Sequence, residues 1–98
     1  MDTNMKYILR SPEAGVFYGE IKKADDNTRV FVLKNARQIW YWDGAATLMQ
    51  LSSQGTSRPE LCKITVPVEE VTIMNVVQYM PCTEQAVASL DAIEPWVE

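Results

Sequence analysis

Val16-Phe17-Tyr18-Gly19-Glu20-Ile21-Lys22-Lys23, the polar turn Ala24-Asp25-Asp26-Asn27-Thr28, and then Arg29-Val30-Phe31-Val32-Leu33-Lys34-Asn35-Ala36-Arg37-Gln38-Ile39-Trp40-Tyr41-Trp42 form the stretch on which the fold turns. Both flanks are rich in β-branched and aromatic residues, which fit a pleated surface. Between them, Asp and Asn tolerate left-handed backbone and bond their own main chain. The pattern predicts a hairpin of Val16–Lys23 with Arg29–Lys34. Asn35-Ala36 reads as a second tight connection, leading into a strand over Arg37–Trp42. Alternation there places Arg37, Ile39 and Tyr41 on one face and Gln38, Trp40 and Trp42 on the other.

Working outward, Lys6–Arg10 is a strand candidate closed by Ser11-Pro12-Glu13-Ala14-Gly15, which makes a three-stranded meander. Asp43-Gly44 ends the aromatic strand and opens a short helix over Ala45–Gln54. Its apolar stripe is Ala45, Leu48, Met49 and Ser52, widened by Leu51, with Gly55 as the stop. Thr56–Leu61 is a loop. Ile64, Val66 and Val68 then alternate with polar neighbours, and Pro67 marks an edge strand or a bend. Glu70–Met80 alternates again until Pro81. Thr83 caps a last helix, Glu84–Ala92, whose Val87, Leu90 and Ile93 dock, with Trp96-Val97 tucking back. Six short strands and two short helices predict a single α+β domain over residues 1–98. It is mostly β, either a small bent sheet or an SH3-like barrel, the latter by analogy with the central hairpin of SH3-like and Sm-like barrels. Gly19 is placed for the bend such strands need.

Hydrophobic content of 47% and charge of 22% suit a folded chain. No signal-peptide pattern opens the sequence and no apolar run spans a bilayer, so a soluble intracellular protein is expected. The net charge of −4 is unevenly spread: no Lys or Arg follows Lys63, against six acids from Glu69 to Glu98. A one-signed half of this kind repels phosphate, so nucleic acid is disfavoured while a basic protein surface is allowed.

Catalytic signatures are missing. There is no His for proton transfer, no phosphate-loop or nucleophile-elbow motif, and Glu69-Glu70 point to opposite faces of a strand. Cys62 and Cys82 lack the imidazole partner a thiol nucleophile needs, and they cannot complete a zinc site alone. The expectation is a protein that is not an enzyme, has no cofactor and binds no metal. The residues that could recognise a partner are Lys34, Arg37, Trp40, Trp42, Asp43 and Arg58. Trp can stack on a flat ring or anchor an interface, and Lys34, Arg37 and Arg58 could meet phosphate or carboxylate. For Arg37 the competing expectation is a pair with Asp43 or Glu20. The hydroxyl-rich loop Ser52–Pro59 offers amides that could take an anion.

Ala14–Glu20, Val32–Ala46 with its Ala36-Arg37-Gln38-Ile39-Trp40-Tyr41-Trp42-Asp43-Gly44-Ala45-Ala46 block, Pro59–Lys63, Pro81–Glu84 and Pro95-Trp96 together resemble a family of small uncharacterised proteins of tailed bacteriophages and prophages. The resemblance carries no catalytic or binding residue with it. It implies a phage accessory gene whose product acts in the host cell cytoplasm by binding. The expected partner is a host or defence-system protein, or a nucleotide-type small molecule, and a homo-oligomer is expected. The alternatives are an Sm-like nucleic-acid-binding module and a structural or assembly protein of the virion.

Overall fold

The computed structural model describes residues 5–97. Six antiparallel strands make one sheet: β1 (Lys6–Ser11), β2 (Gly15–Asp25), β3 (Val30–Tyr41), β4 (Lys63–Ile64), β5 (Val68–Ile73) and β6 (Gln78–Pro81). Two helices, α1 (Leu48–Gln54) and α2 (Glu84–Asp91), complete an α+β fold that is mostly β. β2 lies between β1 and β3, with β6 beyond β1. β5 and β4 share the remaining edge of β3, β5 along Phe31–Ala36 and β4 along Ile39–Tyr41.

Among the described residues no ladder joins β5 to β6, so the sheet is open rather than a closed barrel. It is nevertheless strongly curled. Phe31 of β3 and Tyr79 of β6, separated in the sheet by β2 and β1, meet with ring centroids 4.9 Å apart. The connection Met74–Val77 crosses the gap, Val76 N–H bonding Arg29 O and Val77 N–H bonding Arg10 O, each at 2.9 Å.

The expected break at Asn35-Ala36 does not occur. β3 runs through it, and Asn35 takes φ 51° at a bulge. Tyr18 pairs with Arg37 and Glu20 with Lys34, which leaves Asn35 and Ala36 opposite Gly19. One extra residue reverses the facing of everything beyond it. Phe31 and Leu33 therefore join Leu9, Ile73 and Val76 in one apolar cluster, as does Ala36 after the bulge, whereas Ile39 turns into the other cluster. Gly19 makes room for this crossing: a Cβ there would sit 3.0 Å from Ala36 Cα and 3.1 Å from Lys34 O.

The larger cluster lies between the sheet and the helices and includes Ile8, Tyr18, Ile39, Leu51, Ile64 and Leu90. α1 starts at Leu48 and not at Ala45, because Thr47 is extended and its Oγ1 accepts the Gln50 N–H at 3.2 Å. The buried face is accordingly Leu48, Leu51 and Ser52, and Met49, expected on the stripe, is 61% exposed. Gly55 ends the helix as expected, its N–H on Leu51 O. The expected strand Glu70–Met80 is two strands, interrupted where Asn75 takes φ 58°. Pro67 lies at the bend between β4 and β5.

Thr83 caps α2 as the sequence predicts, and does more. Its Oγ1 accepts the Ala86 N–H at 3.1 Å and donates to Ser53 O of α1 at 2.6 Å. Thr83→Ala is expected to lower stability by about 1–2 kcal/mol in denaturant unfolding, with Thr83→Ser close to the parent.

Both thiols are free and buried. Burial pushes the Cys82 thiol from 9.0 up to about 12, and burial together with the bond to Asp91 pushes the Tyr18 phenol up as well. The unfolded chain releases these protons first. Stability is thus complete below about pH 9 and is lost as pH rises towards 12. A denaturant midpoint that falls across this window would show it; an unchanged midpoint would refute it.

Candidate functional site

Trp40 emerges from the end of β3 with 58% of its surface exposed. Its ring stacks on Trp96 with centroids 5.1 Å apart and planes 29° from parallel. The C-terminal segment reaches this position because Ile93 is buried in the larger cluster and the Trp96 N–H bonds Ile64 O of β4 at 2.8 Å. The Lys63 ammonium lies 5.2 Å from the Trp40 centroid and 5.4 Å from that of Trp96. The one ammonium therefore lies over both indoles of the pair.

Trp42 does not share that surface. β3 ends at Tyr41, so strand alternation no longer governs the next residue. Trp42 packs half-buried against the larger cluster, its Nε1–H on Ala45 O at 3.3 Å. Tyr41 is largely exposed and its hydroxyl donates to Asp43 Oδ2 at 3.5 Å.

Asp43 and Arg58 are brought together, with Arg58 Nη1 3.6 Å from Asp43 Oδ1. The same Oδ1 accepts the Gly44 N–H at 2.6 Å, and the Thr56 hydroxyl donates to Asp43 O. The amides of the neighbouring polar loop are also engaged: Thr56 N–H on Ser89 Oγ, Ser57 N–H on Gly44 O and Arg58 N–H on Thr56 Oγ1. Lys34 stands elsewhere, between Glu20 of β2 and Glu70 of β5 in register.

Arg37 pairs with neither Asp43 nor Glu20. It is 7% exposed and donates to four carbonyls: Thr65 O at 2.8 Å, Ile93 O at 2.9 Å, Leu90 O at 3.1 Å and Ile64 O at 3.4 Å. Leu90 belongs to the last turn of α2 and Ile93 follows it, so the guanidinium meets the negative end of the helix dipole. Burial lowers its pKa from the ordinary guanidinium value, and nearby Asp91 opposes the shift. Four of its five N–H donors are engaged, which leaves little of the fork for a ligand.

Two clefts flank the Ile93–Pro95 segment. One, of about 390 Å³, is lined by Lys6, Tyr18, Glu20, Arg37 and Asp91 among others. Lys6 pairs there with Asp91 at 2.9 Å, the Tyr18 hydroxyl donates to the same carboxylate, and Glu20 accepts from Asn35 Nδ2 at 2.7 Å. The other, of about 430 Å³, lies between the Pro59–Leu61 turn and Ala92–Trp96, with Trp96 as one wall. Among the described residues no group of three or more His, Cys, Asp or Glu side chains could hold a metal ion. No helix among them is long and apolar enough to cross a membrane.

Lys63 and Trp96 are the site residues that local sequence reasoning misses. Lys63 closes the Pro59–Lys63 stretch and Trp96 follows Pro95, but no spacing ties either to Trp40. The fold and surface define a class: a small α+β protein with an open, curled antiparallel sheet and a stacked indole pair at its edge, Trp40 exposed and Trp96 half-buried. Over residues 4–90 the chain matches the family model described as "Domain of unknown function (DUF6948)", and it belongs to that family. No curated protein and no solved structure matches it.

Proposed function

We propose that this protein is a non-enzymatic accessory protein of a phage or prophage that acts in the host cytoplasm by binding a host or defence-system protein. The observation carrying this proposal is the Trp40–Trp96 stack, in which Trp40 stands exposed at the surface instead of filling the core. Tryptophan is the side chain that most often anchors an interface, because it removes a large apolar area from water at little rotamer cost. Tyr41, next to Trp40 in β3, and Leu61, in the turn before β4, are each about half exposed at 47%. The acidic stretch after Lys63 favours a partner with a basic surface.

Trp40→Ala and Trp42→Ala separate surface from core. Trp40→Ala is expected to cost about 1 kcal/mol of stability or less, the stacking contribution alone. Trp42→Ala should cost roughly 2–3 kcal/mol, because it leaves a void against the core. Affinity capture from host lysate with the intact protein should yield a partner whose recovery falls at least tenfold with Trp40→Ala. Equal recovery with the folded variant would refute the anchor.

A second use of the surface, sequestration of a nucleotide signal, is favoured by the exposure of Trp40 beside the Lys63 ammonium. A nucleotide would stack there and place a phosphate on Lys63. Thermal-shift titration with cyclic and ADP-ribose-type nucleotides checks it, and no shift with any of them removes it.

A further inference from the structure

The cleft of about 430 Å³ behind Trp96 has a composition that selects its occupant. Its floor and walls are Ala92, Ile93, Pro59, Pro95 and the Trp96 ring, and the carboxylates that line it are Glu60 and Glu94. Glu60 and Glu94 are exposed and form no ion pair among the described residues. The nearby cations are already placed: Arg58 on Asp43, and Lys63 over the indole pair. Two carboxylates against the single ammonium of Lys63 leave the cleft net negative. An anionic ligand is therefore repelled, and a small apolar one would leave the carboxylates without a counter-charge.

We propose that this cleft receives an arginine side chain from a basic segment of the protein partner, an inference that rests on the binding role given above. Arginine fits each part of it. Its methylene stem can lie along Ile93 and the prolines, as long cationic side chains do on apolar surface. The planar guanidinium can stack on the Trp96 ring where it walls the cleft, and its donors can reach the carboxylates of Glu60 and Glu94 that line it. A lysine would supply the charge without the plane or the fork. The partner would meet two adjoining features, with Trp40 inserted into its surface and its own arginine inserted beside Trp96.

The test is titration of the full ¹⁵N-labelled chain with the capped peptide Gly-Gly-Arg-Gly-Gly, followed by NMR. Saturable shifts are expected at the Trp96 indole N–H and the Glu60 and Glu94 amides. The Glu60→Gln, Glu94→Gln double variant, whose changes are exposed and isosteric, should bind at least tenfold more weakly. The citrulline peptide should not saturate, and the lysine peptide should bind several-fold more weakly than arginine. No saturation by the arginine peptide, undiminished binding by the double variant, or equal binding of the citrulline peptide would each overturn the proposal. Capture through Trp40 is read independently. A partner held by Trp40 with no arginine binding sinks only the cleft, and loss of Trp40-dependent capture sinks the binding role itself.

Discussion

Replacing Arg37 by alanine is expected to destabilise the fold by roughly 3–5 kcal/mol, measured as a shift in the denaturant midpoint at unchanged slope. The magnitude follows from what the guanidinium leaves behind. Leu90 O keeps the Ile93 N–H and Ile64 O keeps the Trp96 N–H, so those two acceptors stay partnered. Thr65 O and Ile93 O each lose the one donor given them above. An orphaned buried carbonyl costs about 1–3 kcal/mol, and the void left by the stem adds a cavity contribution. Arg37 also ties β3 and the bend after β4, already bonded through Thr65 N–H on Gln38 O, to the last turn of α2 and the segment after it. Its loss should therefore loosen Trp96 as well. Arg37→Lys restores the charge but not the spread of donors and should recover only part of the stability. A change below about 1 kcal/mol in Arg37→Ala would show that water replaces the guanidinium and that the knot is not needed.

Gly44→Ala is expected to be of similar size, roughly 3 kcal/mol or more, from two separate causes. Gly44 takes φ 83°, where any Cβ is strained. An added Cβ would also come within 2.6 Å of Arg58 N and 2.8 Å of Ser57 N, which are backbone atoms that cannot swing aside. The Thr56–Arg58 loop would have to move off the turn, and with it the hydrogen bonds to Asp43 O and Gly44 O and the Asp43–Arg58 pair. Differential scanning calorimetry of Gly44→Ala beside Asp43→Asn separates the contributions. Asp43→Asn should cost about 1 kcal/mol or less, since the ion pair is long and its Arg58 side largely exposed. If both variants melt like the parent, the turn is not held as described.

The aromatic block shows how far local pattern carries. Its strand character, its end at Asp43-Gly44 and the helix beyond it are all legible from residue types. So are the Thr83 cap and the docking of Leu90 and Ile93, because capping and apolar spacing act over a few residues. The predicted pairing of Trp40 with Trp42 on one face fails at a definite place. Alternation holds only while the register does: the β3–β4 ladder shifts between Ile39 and Tyr41, leaving Trp40 and Tyr41 both exposed, and β3 stops at Tyr41. Arg37 was legible as a residue of consequence, but its partners are carbonyls contributed by distant segments. Nothing in the sequence marks a carbonyl as an acceptor, since every residue carries one.

The amino-acid sequence by itself determined a single mostly-β α+β chain with the hairpin, two short capped helices and a C-terminal stretch devoid of cations. Those properties follow from propensity, period and composition, which are local. Only the tertiary structure decided that Asn35 is a bulge within one long strand and that the sheet curls without closing. It alone seats the Arg37 guanidinium under the end of α2, and it alone makes Trp40, Lys63 and Trp96 one surface. Each of those depends on which distant segments meet, and that is set by the joint burial of two apolar clusters rather than by any residue's own preference.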